Sequence, residues 1–336
     1  MYLVQMSRSD GALVKNNSLL ASTLLVLALA AASSLPGCAA EEGGVAPDAP
    51  ERNPPSEARD AGSDGRQDET SQGDAGADSG TAPVLAPVVA ALANEVATRS
   101  PGTELGLAVY DFKTKEYAGV NDEVAHISAS SAKAIWVAAA LKKVGIAPVA
   151  PHAVPIFETS SNEAATEVIK LAGPNYINEF YALAKMEKSA YTQWAGGNVA
   201  TNSPKLLGND NYFTAKDAVS FLKGVQQGTL LDATLGAKLN EWMTLSPRAG
   251  FGGWLGTLLP ASARASLRHK AGWLPPPYDA RCVNEIGLVE AGAGHWYAIA
   301  ILARSAADYE AEQDFVEHAS CAVFKAAASM ADLDCK

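Results

Sequence analysis

A serine hydroxyl becomes a nucleophile only when a neighbouring base takes its proton, so a serine with a lysine three residues later on a helix has chemical potential. Ser130-Ser131-Ala132-Lys133 is such a pair, at the start of a helix expected from about Ser130 to Val144, directly after an extended segment. Residues i and i+3 share a helix face, which lets the Lys133 amine reach the Ser130 hydroxyl. The helix N-terminus disfavours a nearby ammonium. Partial burial adds to that, lowering the lysine pKa toward a value at which neutral amine accepts a proton. The spelling alone is weak, since an N-cap serine with a solvated lysine accounts for it equally. Ser220-Phe221-Leu222-Lys223 repeats it within an ordinary amphipathic helix.

Two further groups carry polar chemistry. Ser160-Ser161-Asn162 stands just before a helix expected over Asn162–Leu171. Ser160 could relay a proton and Asn162 could anchor a substrate amide, yet Ser160 with Glu163 also spells a capping box, and the two roles are compatible. Lys270-Ala271-Gly272, flanked by His269 and Trp273, falls on an expected strand. A lysine there holds a carboxylate and a glycine permits close approach to the strand backbone. A solvent-facing lysine beside a bulge is the plainer alternative. His126 is a further candidate base, or a histidine packed at a strand end. The five histidines show no His-x-x-x-His or His-Glu-x-x-His spacing, so neither a metal nor any other cofactor is expected.

These groups need a scaffold. Apolar spacing from Val84 to Val96 fits a helix; Leu105–Phe112 and Tyr117–Val120 fit a hairpin around the polar Lys113-Thr114-Lys115 turn. After the helix at Ser130 come helices at Asn162–Leu171, Asn175–Ala184, Thr214–Val225 and Leu231–Met243. Strands follow at Leu267–Trp273, Cys282–Val289 and Trp296–Ala303, then a long helix from about Asp308 to Met330. The order implies an α+β fold whose sheet joins strands from both ends of the body around an inserted helical lobe.

Net charge and the N-terminus bound the function class. The 336 residues carry 37 acids against 26 bases, a net charge of −11, which argues against a phosphate-tracking nucleic-acid binder. Only Asn16–Ala40 is free of charge for long enough to span a bilayer, so a transporter is not expected. Arg8 and Lys15, the apolar Leu19–Ala32 run and Leu35-Pro36-Gly37-Cys38 resemble a bacterial lipoprotein signal, with residues 1–37 removed and Cys38 lipidated. An uncleaved anchor or an ordinary secretory signal are the alternatives; all three place the body outside the cytoplasm. From Cys38 to residue 82 the chain is rich in Gly, Ala, Pro, Ser, Asp and Glu, and reads as a disordered acidic tether. It holds −8 of the net charge and residues 1–37 hold +1, leaving −4 for a single domain over residues 83–336. Cys282, Cys321 and Cys335 then remain, with Cys321–Cys335 and Cys282–Cys321 as rival disulfides.

In their order, Ser130-x-x-Lys133, Ser160-Ser161-Asn162 and Lys270-Ala271-Gly272 resemble the three signatures of the serine β-lactamase and penicillin-binding protein superfamily, nearest to a class A β-lactamase-like serine hydrolase. Gly106-Leu107-Ala108-Val109-Tyr110-Asp111, Ile127-Ser128-Ala129 and Asn211-Tyr212-Phe213-Thr214-Ala215 extend the likeness over Pro83 to about Ala331. The resemblance implies a five-stranded antiparallel sheet flanked by helices, an all-helical lobe, and a cleft between them. It implies Ser130 as acylated nucleophile, Lys133 as its base or base partner, Ser160 as proton relay and Lys270 as carboxylate binder. Asn162, Ala271, Gly272 and Trp273 then line the substrate, and the backbone N–H groups of Ser130 and Trp273 form an oxyanion hole.

Departures qualify the inheritance. Ser161 replaces an aspartate, and Ala271 replaces a hydroxyl residue that helps bind a carboxylate, a loss for which Arg281 is a possible substitute. The short interval from Ser130 to Ser160 implies a trimmed helical lobe. The glutamate that activates water in class A enzymes has no evident counterpart: Asn198 stands near its place, and Glu187 would need a rearranged loop. Trp194 and Trp273 could line the cleft. The expectation is therefore a lipid-anchored cell-envelope hydrolase, on the periplasmic or extracellular side of a bacterial membrane, forming an acyl-enzyme with a β-lactam or a peptidoglycan peptide. Slow hydrolysis is expected. A D,D-peptidase-like acyl transferase and a catalytically degenerate cell-wall-binding lipoprotein are the alternatives.

Overall fold

The computed structural model describes residues 83–192, 211–276, 281–305 and 308–336. The expected signal segment (1–37) and tether (38–82), with Cys38, lie outside these residues, as do Trp194 and Asn198.

Helix α1 (Leu85–Arg99) leads into the hairpin β1 (Glu104–Asp111) and β2 (Tyr117–Val120). The turn closes because Asp111 Oδ1 accepts from the N–H groups of Lys113 (2.7 Å) and Thr114 (2.9 Å), an Asx turn. Three long strands near the other end of the chain, β5 (Arg268–Leu274), β6 (Arg281–Gly292) and β7 (His295–Ser305), complete one antiparallel sheet in the order β2-β1-β7-β6-β5. Its closure depends on β1 pairing with β7 from Glu104↔Arg304 to Asp111↔Tyr297. Both faces are covered, which explains why β7 reads as a continuous apolar run from Trp296 to Ala303 and why even Asn284 and Glu285 of β6 are buried. Leu107 and Val109 of β1 face a core with Leu85, Val89 and Leu92 of α1 and Phe315, Val316 and Val323 of α10 (Tyr309–Ala327). Their neighbours Ala108 and Tyr110 face the core of the helical lobe.

That lobe is built around α2 (Lys133–Val144), in which every residue from Lys133 to Leu141 is buried. A helix apolar on all sides must lie inside others. It is surrounded by α3 (Ile146–Thr159), α4 (Asn162–Ala172), α5 (Pro174–Leu183), α6 (Ala215–Gln226) and α7 (Ala233–Met243). Helix α3 is not expected from the sequence, because Pro151 and Pro155 remove interior hydrogen bonds. Burial of Val149, Ala153, Ile156 and Phe157 along one face compensates. It is the single helix between α2 and Ser160, in keeping with a short lobe.

Shorter elements join the two layers. β3 (His126–Ile127) pairs with β4 (Tyr212–Phe213), and α8 (Trp254–Thr257) and α9 (Ala261–Ser266) precede β5. Of the two possible disulfides the structure forms Cys321–Cys335, which ties the C-terminal tail to α10, while Cys282 is buried on β6.

Candidate active site

Ser130 is delivered by a short segment held at three points. Both the N–H and the hydroxyl of Ser128 donate to the carbonyl of Asn211, at 2.9 and 3.0 Å. Asn284 Nδ2 on β6 donates to the carbonyl of Ile127 at 2.6 Å, and the Ser131 hydroxyl donates to the carbonyl of Ser128. Ala129 takes a positive φ of 45°, a strained conformation for a residue with a Cβ, and a single 3₁₀ turn over Ala129–Ala132 then feeds α2. Ser130 is partly buried in this turn, one turn ahead of the fully buried Lys133. Nothing in the motif spacing pointed to Asn284 as an anchor, although an asparagine within the apolar β6 run was a visible signal.

The Lys133 side chain reaches across to the end of α3. Its Nζ donates to the carbonyl of Ser160 (2.5 Å), to Asn162 Oδ1 (2.6 Å) and, longer, to Ser160 Oγ (3.4 Å). Lys270 Nζ approaches the same hydroxyl from β5, 3.1 Å from Ser160 Oγ and 2.7 Å from the carbonyl of Ala271. Ser160 Oγ therefore stands between two lysine nitrogens. Ser160 does not cap α4: Ser161 is the N-cap, its hydroxyl accepting from Ala164 N at 3.2 Å. Ser160 sits instead in the left-handed region at φ 57°, which turns its side chain away from the helix start. The N-cap is thus displaced by one residue and, with Ala164 rather than Glu163 at the third helical position, the expected capping box does not form. Asn162 turns its amide oxygen to Lys133.

Burial controls both lysines. Desolvation holds the Lys133 amine well below its usual range, and the charge of Lys270 lowers it further. Desolvation likewise lowers Lys270 to about 7, opposed by the negative charge of Glu285. Glu285 belongs to the other face of the sheet, where it accepts from Leu255 N (2.9 Å) and lies 2.5 Å from His269 Nδ1. Lys270 and Gly272 share the site face of β5; His269 and Ala271 take the other.

Gly272 brings β5 against the nucleophile turn. A Cβ there would lie 2.3 Å from Ser131 N and 2.7 Å from Ser130 N, so only glycine allows this strand to approach. What its small size admits is the backbone of Ser130 and Ser131 as much as any ligand. Trp273 follows at once, half-buried at the edge of the sheet.

A family model described as "Beta-lactamase enzyme family" matches residues 156–327. The chain belongs to the β-lactamase enzyme family. Solved structures agree on the fold. PBP-A is 16% identical with a TM-score of 0.62, covering 73% of this chain and 97% of its own. The TLA-3 extended-spectrum β-lactamase is 16% identical with a TM-score of 0.63 (72% and 98% covered). A β-lactamase from Sphaerobacter thermophilus is 18% identical with a TM-score of 0.61 (73% and 97% covered). No curated protein matches the sequence.

Four further residues of the β-lactamase family pattern have defined surroundings. Ala271 is buried in the core behind β5. The charge of Arg281 acts on Glu312 of α10, in the layer behind the sheet. His126 packs with Nε2 against Gly106 of β1, and burial drives its pKa down to about 4; it is a strand-end histidine. Glu187 is exposed in the turn after α5. Among the described residues no group of three or more His, Cys, Asp or Glu side chains is arranged to hold a metal ion.

Proposed function

We propose that this protein is a serine hydrolase that forms an acyl-enzyme on Ser130 with a β-lactam or related amide, and that the acyl-enzyme turns over slowly. The observation that carries the reading is the Ser160 hydroxyl held between Lys133 and Lys270, beside a turn that presents Ser130 next to Gly272. Neutral Lys133 takes the Ser130 proton as Oγ bonds to the substrate carbonyl carbon. The N–H groups of Ser130 and Trp273 would receive the charge developing on the carbonyl oxygen. The proton passes by way of Ser160 Oγ to the leaving nitrogen as the C–N bond breaks, leaving an ester on Ser130. Charged Lys270 holds the substrate carboxylate and orients the Ser160 hydroxyl.

Hydrolysis of that ester needs an activated water. The exposure of Glu187 gives no such base at the described part of the site, which supports slow release and makes a D,D-peptidase-like acyl transferase the second reading. The Cys321–Cys335 disulfide supports an oxidising compartment and, with the N-terminal sequence, a body held at the cell envelope by lipid on Cys38 and the 38–82 tether. Intact-protein mass spectrometry after incubation with a penicillin tests the proposal. The expected result is a one-to-one adduct on Ser130, absent in Ser130→Ala. No adduct and no turnover with several β-lactams, peptides and esters would overturn it.

A further inference from the structure

We propose that Trp273 and Phe251 form an aromatic subsite beside Lys270, selecting substrates whose carboxylate-bearing carbon also carries an apolar, preferably aromatic, substituent. This deepens the proposed function and rests on it. Three rings stand in sequence from core to solvent. Trp254 is 1% exposed; its ring centroid lies 5.9 Å from that of Trp273, edge to face. Phe251, 58% exposed, packs on both, 4.9 Å from Trp273 and 5.6 Å from Trp254. Lys270 Nζ lies 5.8 Å from the centre of the Trp273 ring. Trp273 shares the face of Ala271, opposite Lys270, but β5 is the edge strand of the sheet and the Trp273 ring comes near the Lys270 ammonium at that open edge, so the cation that would hold a carboxylate and the aromatic surface are neighbours.

Phe251 is held in this exposed posture by its loop. Ser246 Oγ donates to the carbonyl of His269 on β5 (2.8 Å), and Gly250 N donates to Thr257 Oγ1 (3.0 Å). Gly253 N donates to the carbonyl of Gly250 at 2.8 Å, and a Cβ at Gly253 would fall 2.1 Å from the carbonyl oxygen of Pro247. The loop is closed tightly on itself, with Gly252 at φ 79° beside the Trp273 ring. A fixed aromatic ring at the surface loses little conformational entropy on binding, which favours recognition of another apolar group. A substrate carboxylate on Lys270 brings the group on the adjacent carbon to the Trp273 ring, with Phe251 as the outer wall. Edge-to-face packing against such rings adds to the simple burial of area.

The test uses the full chain and three hippuryl thioesters with the leaving thiols thioglycolate, thiolactate and 2-mercapto-3-phenylpropionate, which carry H, methyl and benzyl on the carboxylate-bearing carbon. Thiol release and the mass of the acyl-enzyme are followed. The expected order of kcat/KM is benzyl, methyl, H, with benzyl over H by about tenfold or more, the range that apolar pockets deliver. Phe251→Ala is expected to bring that ratio down to within about threefold, and Phe251→Tyr to retain it. Equal rates for the three thioesters in the wild type, or a preference that survives Phe251→Ala, overturns the subsite while leaving acylation standing. If no thioester reacts, acylation is judged by the penicillin adduct on Ser130 instead. The subsite is then judged by quenching of tryptophan fluorescence with 3-phenylpropionate against propionate: tighter binding of the phenyl acid, lost in Phe251→Ala, supports it, and no difference overturns it.

Discussion

The chain spells Ser-x-x-Lys twice, and the two copies have different surroundings. Ser130 and Lys133 straddle the junction of a 3₁₀ turn with α2, and Lys133 is fully buried against Ser160 and Asn162. Ser220 and Lys223 lie within α6, and the Lys223 ammonium rests over the Tyr110 ring at 4.2 Å, a cation–π contact at the margin of the sheet. Identical spacing on a helix thus yields a depressed amine in one place and a packing cation in the other. Burial at the start of a helix, next to a second lysine, makes the difference, and residue identity does not.

The comparison can be broken most directly at the hydroxyls. Ser130→Ala is expected to abolish the penicillin adduct, a loss of at least about 10³-fold in acylation rate, whereas Ser220→Ala leaves the adduct at wild-type level by mass spectrometry. The lysines come next. Lys133→Met is expected to slow acylation by about 10²- to 10⁴-fold, as removal of a general base does. Lys223→Met leaves the rate unchanged and costs about 0.5–1 kcal/mol in urea unfolding through the lost contact with Tyr110.

The pH dependence sharpens the contrast further. Lys270, lowered to about 7, loses its charge as the pH rises through that value, so kcat/KM for carboxylate-bearing substrates is expected to fall above about pH 7. Between about 7 and 10.5 the unfolded chain binds the proton that folded Lys270 has lost. Its contribution therefore makes native stability rise with pH over this window, a slope that Lys270→Met removes in denaturation at several pH values. The smallest effects separate the adjacent serines. Ser161→Ala is expected to cost about 1 kcal/mol as a lost N-cap. Ser160→Gly relieves a left-handed residue and is expected to stabilise the fold by up to about 1 kcal/mol, even as it removes the hydroxyl between the lysines.

Much of the fold was legible because period and turn chemistry are local. β2 falls on Tyr117–Val120 as the alternation indicated, and α4 to α7 and β5 to β7 lie within a few residues of their apolar runs. Helix α3 was not legible, since Pro151 and Pro155 speak against a helix locally and only the buried face of Val149, Ala153, Ile156 and Phe157 overrides them. At the site, Ser130, Lys133, Ser160 and Lys270 were recognisable by order and spacing. Asn284 and Asn211 were not, because each acts through a backbone carbonyl or amide far away in sequence. The aromatic group of Phe251, Trp254 and Trp273 likewise depends on a loop folding back over β5.

The sequence by itself determined most of the inventory: the long strands and the main helices other than α3, which hydroxyls and amines stand at their ends, and the family pattern that orders them. Tertiary structure decided which serine is a cap and which is left between two amines, because a one-residue shift at the start of α4 hands the cap to Ser161 and turns Ser160 left-handed. It decided the charge of the lysines as well. Desolvation depends on what closes over a side chain, and at Lys133 and Lys270 that cover comes from elements distant in the chain.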